Sequence, residues 1–153
     1  IGRVMTATLG EIVQDYSKSH IKMKFKINNV AGDAAYTEFV GHEVTRDYLR
    51  SMVKRRASRI DTIHPIISKD GKLLRVTVVC LTLSRADQSQ VHAVRQAISQ
   101  ALTARAAESD FETLVKDIVS GDMARDIFKV AKEIYPIRRV EITKSKLEQI
   151  ATV

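Results

Sequence analysis

Residues 60–83, IDTIHPIISKDGKLLRVTVVCLTL, decide the fold class. Ile60 to Ile67 and Leu73 to Leu83 are apolar runs flanking Lys69-Asp70-Gly71-Lys72, whose Asp-Gly pair supplies the positive φ values of a tight hairpin turn. Two antiparallel strands follow. Pro65 has no N–H to give to a ladder, so the first strand is expected at a sheet edge or with a bulge there. LLRVTVVCLTL is the most apolar segment of the chain and is expected to be central. Cys80 within it then serves as a small core residue, since no basic residue or His adjoins it in sequence to make it reactive.

Further β signals lie upstream. Ile21, Met23, Phe25 and Ile27 alternate with Lys22, Lys24 and Lys26, the period of a half-buried strand with a comb of lysines on its other face. The comb either guards an edge strand against aggregation or tracks phosphates. Gly32-Asp33 signals a turn, and Tyr36 to Val44 returns as a second β segment, making a hairpin. Arg3 to Thr8 is a short β-permissive run with Val4, Thr6 and Thr8 on one face.

Between the two hairpins stands TRDYLRSMVKRRASR, residues 45–59, which predicts a short basic helix. The Thr45 hydroxyl is suited to cap its first turn, and Asp47 complements the positive end of the helix dipole. Tyr48, Leu49, Met52 and Val53 fall on one arc, while Arg46, Arg50 and Lys54 form an i, i+4 ridge beside it. Arg56 rotates back toward the apolar side, so fraying there is expected to release Arg55, Arg56 and Arg59 into a basic exit segment. Like charges at this spacing cost about 0.2–0.5 kcal/mol per pair, a penalty that a polyanion would remove. The alternative is a solvated basic face.

After Ser84 the pattern becomes helical. Asp87 or Ser89 caps a helix burying Val91, Val94, Ile98, Ala101 and Leu102, with His92, Arg95 and Arg105 outside. Asp110 caps a second helix burying Phe111, Leu114, Val115 and Ile118, and Gly121 ends it. Asp122 caps a third, carrying Met123, Ile127, Val130, Ala131 and Ile134, until Pro136 forces Tyr135 out of helical geometry. Ile137 to Thr143 resumes a β pattern, followed by Lys144 and Lys146; a strand returning to the sheet would bring these cations and Arg138 and Arg139 near the earlier ones. No repeat or linker divides the chain. The expectation is one α+β domain over residues 1–153: a largely antiparallel, barrel-like sheet with a short basic helix inserted and three helices after residue 84.

A formal charge of +7 and a pI near 9.7 point to a negatively charged partner. Aromatics are only 5% and Trp is absent, which disfavours both a membrane-surface helix and a platform that stacks single-stranded bases. No apolar run is long enough to span a bilayer, and no membrane partner is expected. The single cysteine excludes an internal disulfide and suits a reducing compartment. The chain starts on Ile1 without a secretory signal pattern and reads as trimmed or processed at its N-terminus. Phosphate and folded shape, rather than base edges, are the expected targets.

Catalytic signals are weak. His20, His42, His64 and His92 stand on separate elements, with no Cys/His cluster, phosphate-binding Gly loop or G-x-S-x-G elbow; neither a metal nor a cofactor is expected. Asp15, Asp33, Glu38 and Glu43 would have to meet in space to form a nuclease-like carboxylate set, which their spacing does not require.

Four motifs in order, GHEVTRDYLRSMVKRRASRID, DGKLLRV, QVHAVRQ and IYPIRRVEITKSKL, resemble the archaeal form of the ribosomal protein S-three-A family, over most of the chain from Gly2 to Leu147. The resemblance implies a non-catalytic, cytoplasmic component of the small ribosomal subunit, on the platform near the mRNA exit and the 3′ region of the rRNA. Neighbouring ribosomal proteins are then partners, with mRNA and initiation factors as further candidates. Arg46, Arg50, Lys54, Arg55, Arg56, Arg59, Arg138 and Arg139 lie inside the matching motifs, and with Lys72, Arg75, Lys144 and Lys146 they form the candidate RNA-binding set. Family members usually carry a basic segment before the position of Gly2, and eukaryotic ones a long C-terminal tail; neither is in this sequence. A second reading makes residues 87–135 a protein-docking module, with Arg95 and Arg105 as its contacts. A metal-dependent nuclease is a remote third.

Overall fold

The computed structural model describes residues 1–148; residues 149–153, at the end of the expected single domain, lie outside the described ones. Six strands form one antiparallel sheet: β1 (Val4–Thr8), β2 (Ile21–Ala31), β3 (Ala34–Val44), β4 (Arg59–Ile67), β5 (Leu73–Thr82) and β6 (Ile137–Glu148). Five α-helices accompany it: α1 (Leu9–Val13), α2 (Arg46–Met52), α3 (Gln88–Glu108), α4 (Phe111–Ser120) and α5 (Asp122–Ile134). The α+β class expected from the sequence is what forms. The sheet runs β1-β2-β3-β6-β5-β4 and is open, with β1 and β4 as its two edges, so the barrel-like closure expected above does not occur.

The hairpin at residues 60–83 forms as its turn chemistry predicts, with Gly71 at φ +76°. Pro65 sits on edge strand β4 opposite Arg75, where its missing N–H costs no ladder bond to a further strand. The interior strand β5 buries Leu74, Val76, Val78 and Cys80 completely. β2, by contrast, lies between β1 and β3, so its lysine comb does not guard an edge.

The last strand in sequence, β6, joins the two halves of the sheet. It pairs with β5 from Leu73↔Glu148 to Thr82↔Ile137, and with β3 through only Gly41↔Lys146, His42↔Ser145 and Glu43↔Lys144. Two register shifts along β6 leave out Arg138 and Thr143. Each shift reverses the inside–outside alternation, which lets Ile137, Val140, Ile142 and Ser145 all be buried although their numbers change parity.

Helices α3, α4 and α5 cover one face of the sheet. Val94, Ile98 and Leu102 of α3, Leu114 and Ile118 of α4, and Met123, Ile127 and Ala131 of α5 share one core with Ile60, Ile66, Val76, Val78, Val140 and Ile142. Removing such side chains from water contributes roughly 1.5–3 kcal/mol each. Val91, Ala101 and Val115 are only partly buried against it. Ala124 and Ala131 seat α5 closely, and the flanking Val130 and Ile134, expected in its buried stripe, stay 40% and 42% exposed.

Caps differ from expectation in detail. Gln90 accepts the Asp87 N–H at 3.0 Å, so the α3 start is capped as the sequence suggests. The α4 start is capped from a distance: Asp110 precedes it, but the Phe111 N–H donates to Asp70 Oδ2 at 2.9 Å, in the β4–β5 turn. Asp122 is the first residue of α5 rather than its cap, which is Gly121. α1 and a 3₁₀ turn at Tyr16–Lys18 lie outside the elements that the sequence pattern predicts, although Thr8 and Glu11 form a capping box at the start of α1.

Candidate nucleic-acid interface

The face of the sheet opposite the three helices is where the basic side chains gather. Antiparallel register sets them in rows across the strands. One row runs Lys22, Glu43, Lys144 and Thr77; the next runs Lys24, Gly41, Lys146 and Arg75. A third places Arg59, Leu81 and Arg139 side by side on β4, β5 and β6. Paired residues share a face, so the lysine comb of β2 and the lysines of β6 belong to one surface. Lys22, Lys24 and Lys26 were not in the candidate set. Their period-2 spacing was the signal that could have placed them there.

Helix α2 lies on this same face. Tyr48, Leu49 and Met52 pack on Val79 and Leu81, the outward-facing apolar residues of β5. Tyr48 is further held by a stack on His20, with centroids 3.9 Å apart, and by Arg139, whose Nη2 donates to the Tyr48 hydroxyl at 2.5 Å. The Arg139 guanidinium also lies 5.5 Å from the Tyr48 ring centroid.

α2 is shorter than the basic stretch suggested. It ends at Met52, and Val53 is extended, so Lys54 is not on the helix and the ridge consists of Arg46 and Arg50 alone. Thr45 is the N-cap residue, but its hydroxyl makes no capping bond; its N–H instead donates to the His20 carbonyl at 2.9 Å. Lys54, Arg55 and Arg56 form an exposed connection, with Arg56 at φ +62°, a left-handed conformation in which a side chain with a Cβ is strained. Arg59 is not part of that exit: it opens β4, and its Nε donates to Asp61 at 2.8 Å.

Between α2 and the sheet opens a cleft of about 690 Å³. Arg46, Arg50, Arg59 and Lys144 supply its cations, and Leu49 and Val53 an apolar wall. Glu43 is its acid. The Lys24 ammonium, 2.7 Å away, holds the Glu43 carboxyl below its ordinary value, and Lys144 and Arg46 add to the effect. The acid is therefore ionised and internally matched. Such a cleft can receive a phosphate-bearing chain, because cations drawn from three separate elements, α2, β4 and β6, converge on it.

The other candidates are distributed differently. Arg75 is on the basic face and bridges Glu148 at 3.1 Å. Arg138 is exposed at a bulge of β6. Lys72 is drawn away: its ammonium lies 4.5 Å from the Phe111 ring centroid, at the helix side of the molecule. Arg95 and Arg105 are exposed on α3, in the helix layer. Arg105 is engaged within the chain, its Nη2 donating to Asp117 of α4 at 2.8 Å, which raises the Arg105 pKa through that hydrogen bond and charge.

The carboxylates considered for a nuclease do not converge. Glu43 pairs with Lys24, Glu38 accepts from Asn28 at 2.9 Å, and Asp15 accepts from Ser17 at the 3₁₀ turn. Among the described residues no group of His, Cys, Asp or Glu is placed to hold a metal ion, and no helix is long and apolar enough to cross a membrane.

Comparison with known proteins agrees with the motif resemblance. The chain is 92% identical, over all its 153 residues and 78% of the relative, to "Small ribosomal subunit protein eS1" of Methanoculleus marisnigri. It is 60% identical to the protein of that name from Methanoregula boonei, covering 98% of this chain and 75% of the relative. It is 44% identical to that of Sulfurisphaera tokodaii, covering 96% and 76%. The model of the Ribosomal S3Ae family matches residues 1–150, and the chain belongs to that family.

Proposed function

We propose that this chain is a structural, non-catalytic constituent of the small ribosomal subunit, binding small-subunit rRNA through the basic face of its sheet and the cleft under α2. The observation that carries this is the gathering of Lys22, Lys24, Lys144, Lys146 and Arg75 in register, next to a cleft lined by Arg46, Arg50, Arg59 and Lys144. Condensed counterions released from RNA favour such a surface, and cations fixed on a sheet and a pinned helix lose little freedom on binding. Neighbouring ribosomal proteins complete its surroundings. A position on the platform near the mRNA exit and the 3′ region of the rRNA, with mRNA and initiation factors within reach, rests on the family resemblance alone.

The test is affinity for an rRNA 3′-domain fragment as a function of salt, against an unrelated RNA of equal length. The native chain is expected to prefer the ribosomal fragment. Arg50→Glu with Lys144→Glu is expected to flatten the salt slope by about one unit per lost phosphate contact and to lower incorporation into small subunits. An unchanged slope together with normal incorporation would remove the assignment of this face.

A further inference from the structure

The β2–β3 hairpin continues well past the rest of the sheet. β1 stops opposite Lys26, and β6 pairs with β3 as far as Gly41, so among the described residues 28–38 form a two-stranded ribbon without a third strand. All of these residues are exposed. Such a ribbon is marginal in water by itself, and a strand edge without a neighbouring strand is open to pairing with another chain.

Its chemistry is unlike that of the remaining chain. The protein has 25 Lys and Arg residues, yet none occurs between Lys26 and Arg46. The ribbon's charged side chains are Asp33 at its tip and Glu38 at its base, the latter bonded to Asn28. Its cross-strand pairs are Asn29↔Tyr36, Val30↔Ala35 and Ala31↔Ala34. Tyr36 therefore stands beside the small Ala31–Ala34 pair on one face, and Val30 and Ala35 occupy the other. Tyr36 is 61% and Val30 52% exposed. A surface for RNA would offer cations to phosphate, and this one offers an acid at its tip. An exposed tyrosine with charge kept to the margins is the make-up of a protein contact.

We propose that the ribbon is a docking arm for a neighbouring protein, which receives Tyr36, beside the Ala31–Ala34 pair, in an apolar depression and faces Asp33 with Lys or Arg. Residues 28–38 would be ordered against that partner while the opposite cations hold RNA, so the chain joins an rRNA face to a protein neighbour. The inference rests on the assembly into the small subunit proposed above.

The experiment places the photo-reactive p-benzoylphenylalanine at Tyr36 in the full chain, and separately at Arg50, and irradiates purified small subunits that contain the labelled chain. A cross-link from position 36 to a ribosomal protein, reduced severalfold when Asp33→Lys is added, is the expected result. A cross-link from position 36 to rRNA would overturn the proposal. A protein cross-link that Asp33→Lys leaves unchanged or strengthens would overturn the cationic partner. Silence at position 36 while position 50 cross-links rRNA would overturn the arm and leave the RNA face standing. Absence of the chain from small subunits would bring down the underlying function as well.

Discussion

Gly41→Ala is predicted to open the seam that holds the two halves of the sheet together. A Cβ at position 41 would run into the Ser145 carbonyl oxygen of β6 and come within 3.3 Å of Lys146 Cα. Both obstacles are backbone, so no flexible side chain can move aside. Among the described residues the seam has three register pairs, and it also carries the His42 N–H to Ser145 Oγ bond at 3.2 Å and the His42 Nε2 contact to the Ile142 carbonyl at 3.1 Å. Overpacking typically costs about 1–3 kcal/mol. Weakening two or three hydrogen bonds beside it adds about 0.5–1.5 kcal/mol each, which brings the expected loss to roughly 2–7 kcal/mol. For a chain of this size that corresponds to a fall in melting temperature on the order of 10 °C. Urea titration of the native chain and the variant measures it directly. Gly71→Ala is the control: φ is +76° there and no atom lies within 4 Å, so only backbone strain of about 1–2 kcal/mol is expected. A Gly41→Ala loss no larger than that of Gly71→Ala would refute the steric account. The variant should also bind rRNA more weakly than its folded fraction predicts, because the seam aligns Lys144 and Lys146 with the β2 lysines.

Asp70→Ala removes the cap that the β4–β5 turn provides to α4, with an expected loss of about 1 kcal/mol in urea titration; no loss would mean that Asp110 takes over. Burial pushes the His42 pKa below its ordinary 6.5, so on acidification the unfolded chain takes up a proton that the folded chain does not. Stability should therefore decline as pH falls below 6.5, and His42→Gln should flatten that part of the profile; an identical slope would show that other groups produce it. Cys80 is fully buried and its thiol is pushed up to about 12, so a thiol reagent at pH 8 should label it only on the unfolding timescale. Immediate labelling in the native state would contradict its place in the core.

Local features were well marked in the sequence. The hairpin at residues 60–83, the edge position of Pro65, the alternation in β2 and the apolar character of β5 all follow from neighbours one to four residues apart. The length of α2 was harder to read: Lys54 to Arg56 have no helix-breaking residue, and the helix ends early because Met52 completes its contact with Val79 and Leu81 and the chain must turn toward β4. The sequence marks Lys72 by its charge alone, and the proximity of Phe111 that draws it aside is not visible in residues 69–72. Arg105 is likewise marked by charge, and its partner Asp117 stands on the next helix.

Turn chemistry, periodicity and composition are properties of short stretches, so the α+β class, two hairpins, three consecutive helices and a +7 charge are legible in the sequence, and the family is legible through the four motifs that resemble it. The tertiary structure decided the open strand order, the insertion of β6 between β3 and β5, and the alignment of cations from both halves on one face. Those outcomes depend on pairings such as His42 with Ser145, 103 positions apart. Strand pairing at that separation is selected by how the buried faces fit together and by where bulges reset the alternation, and no local pattern encodes it.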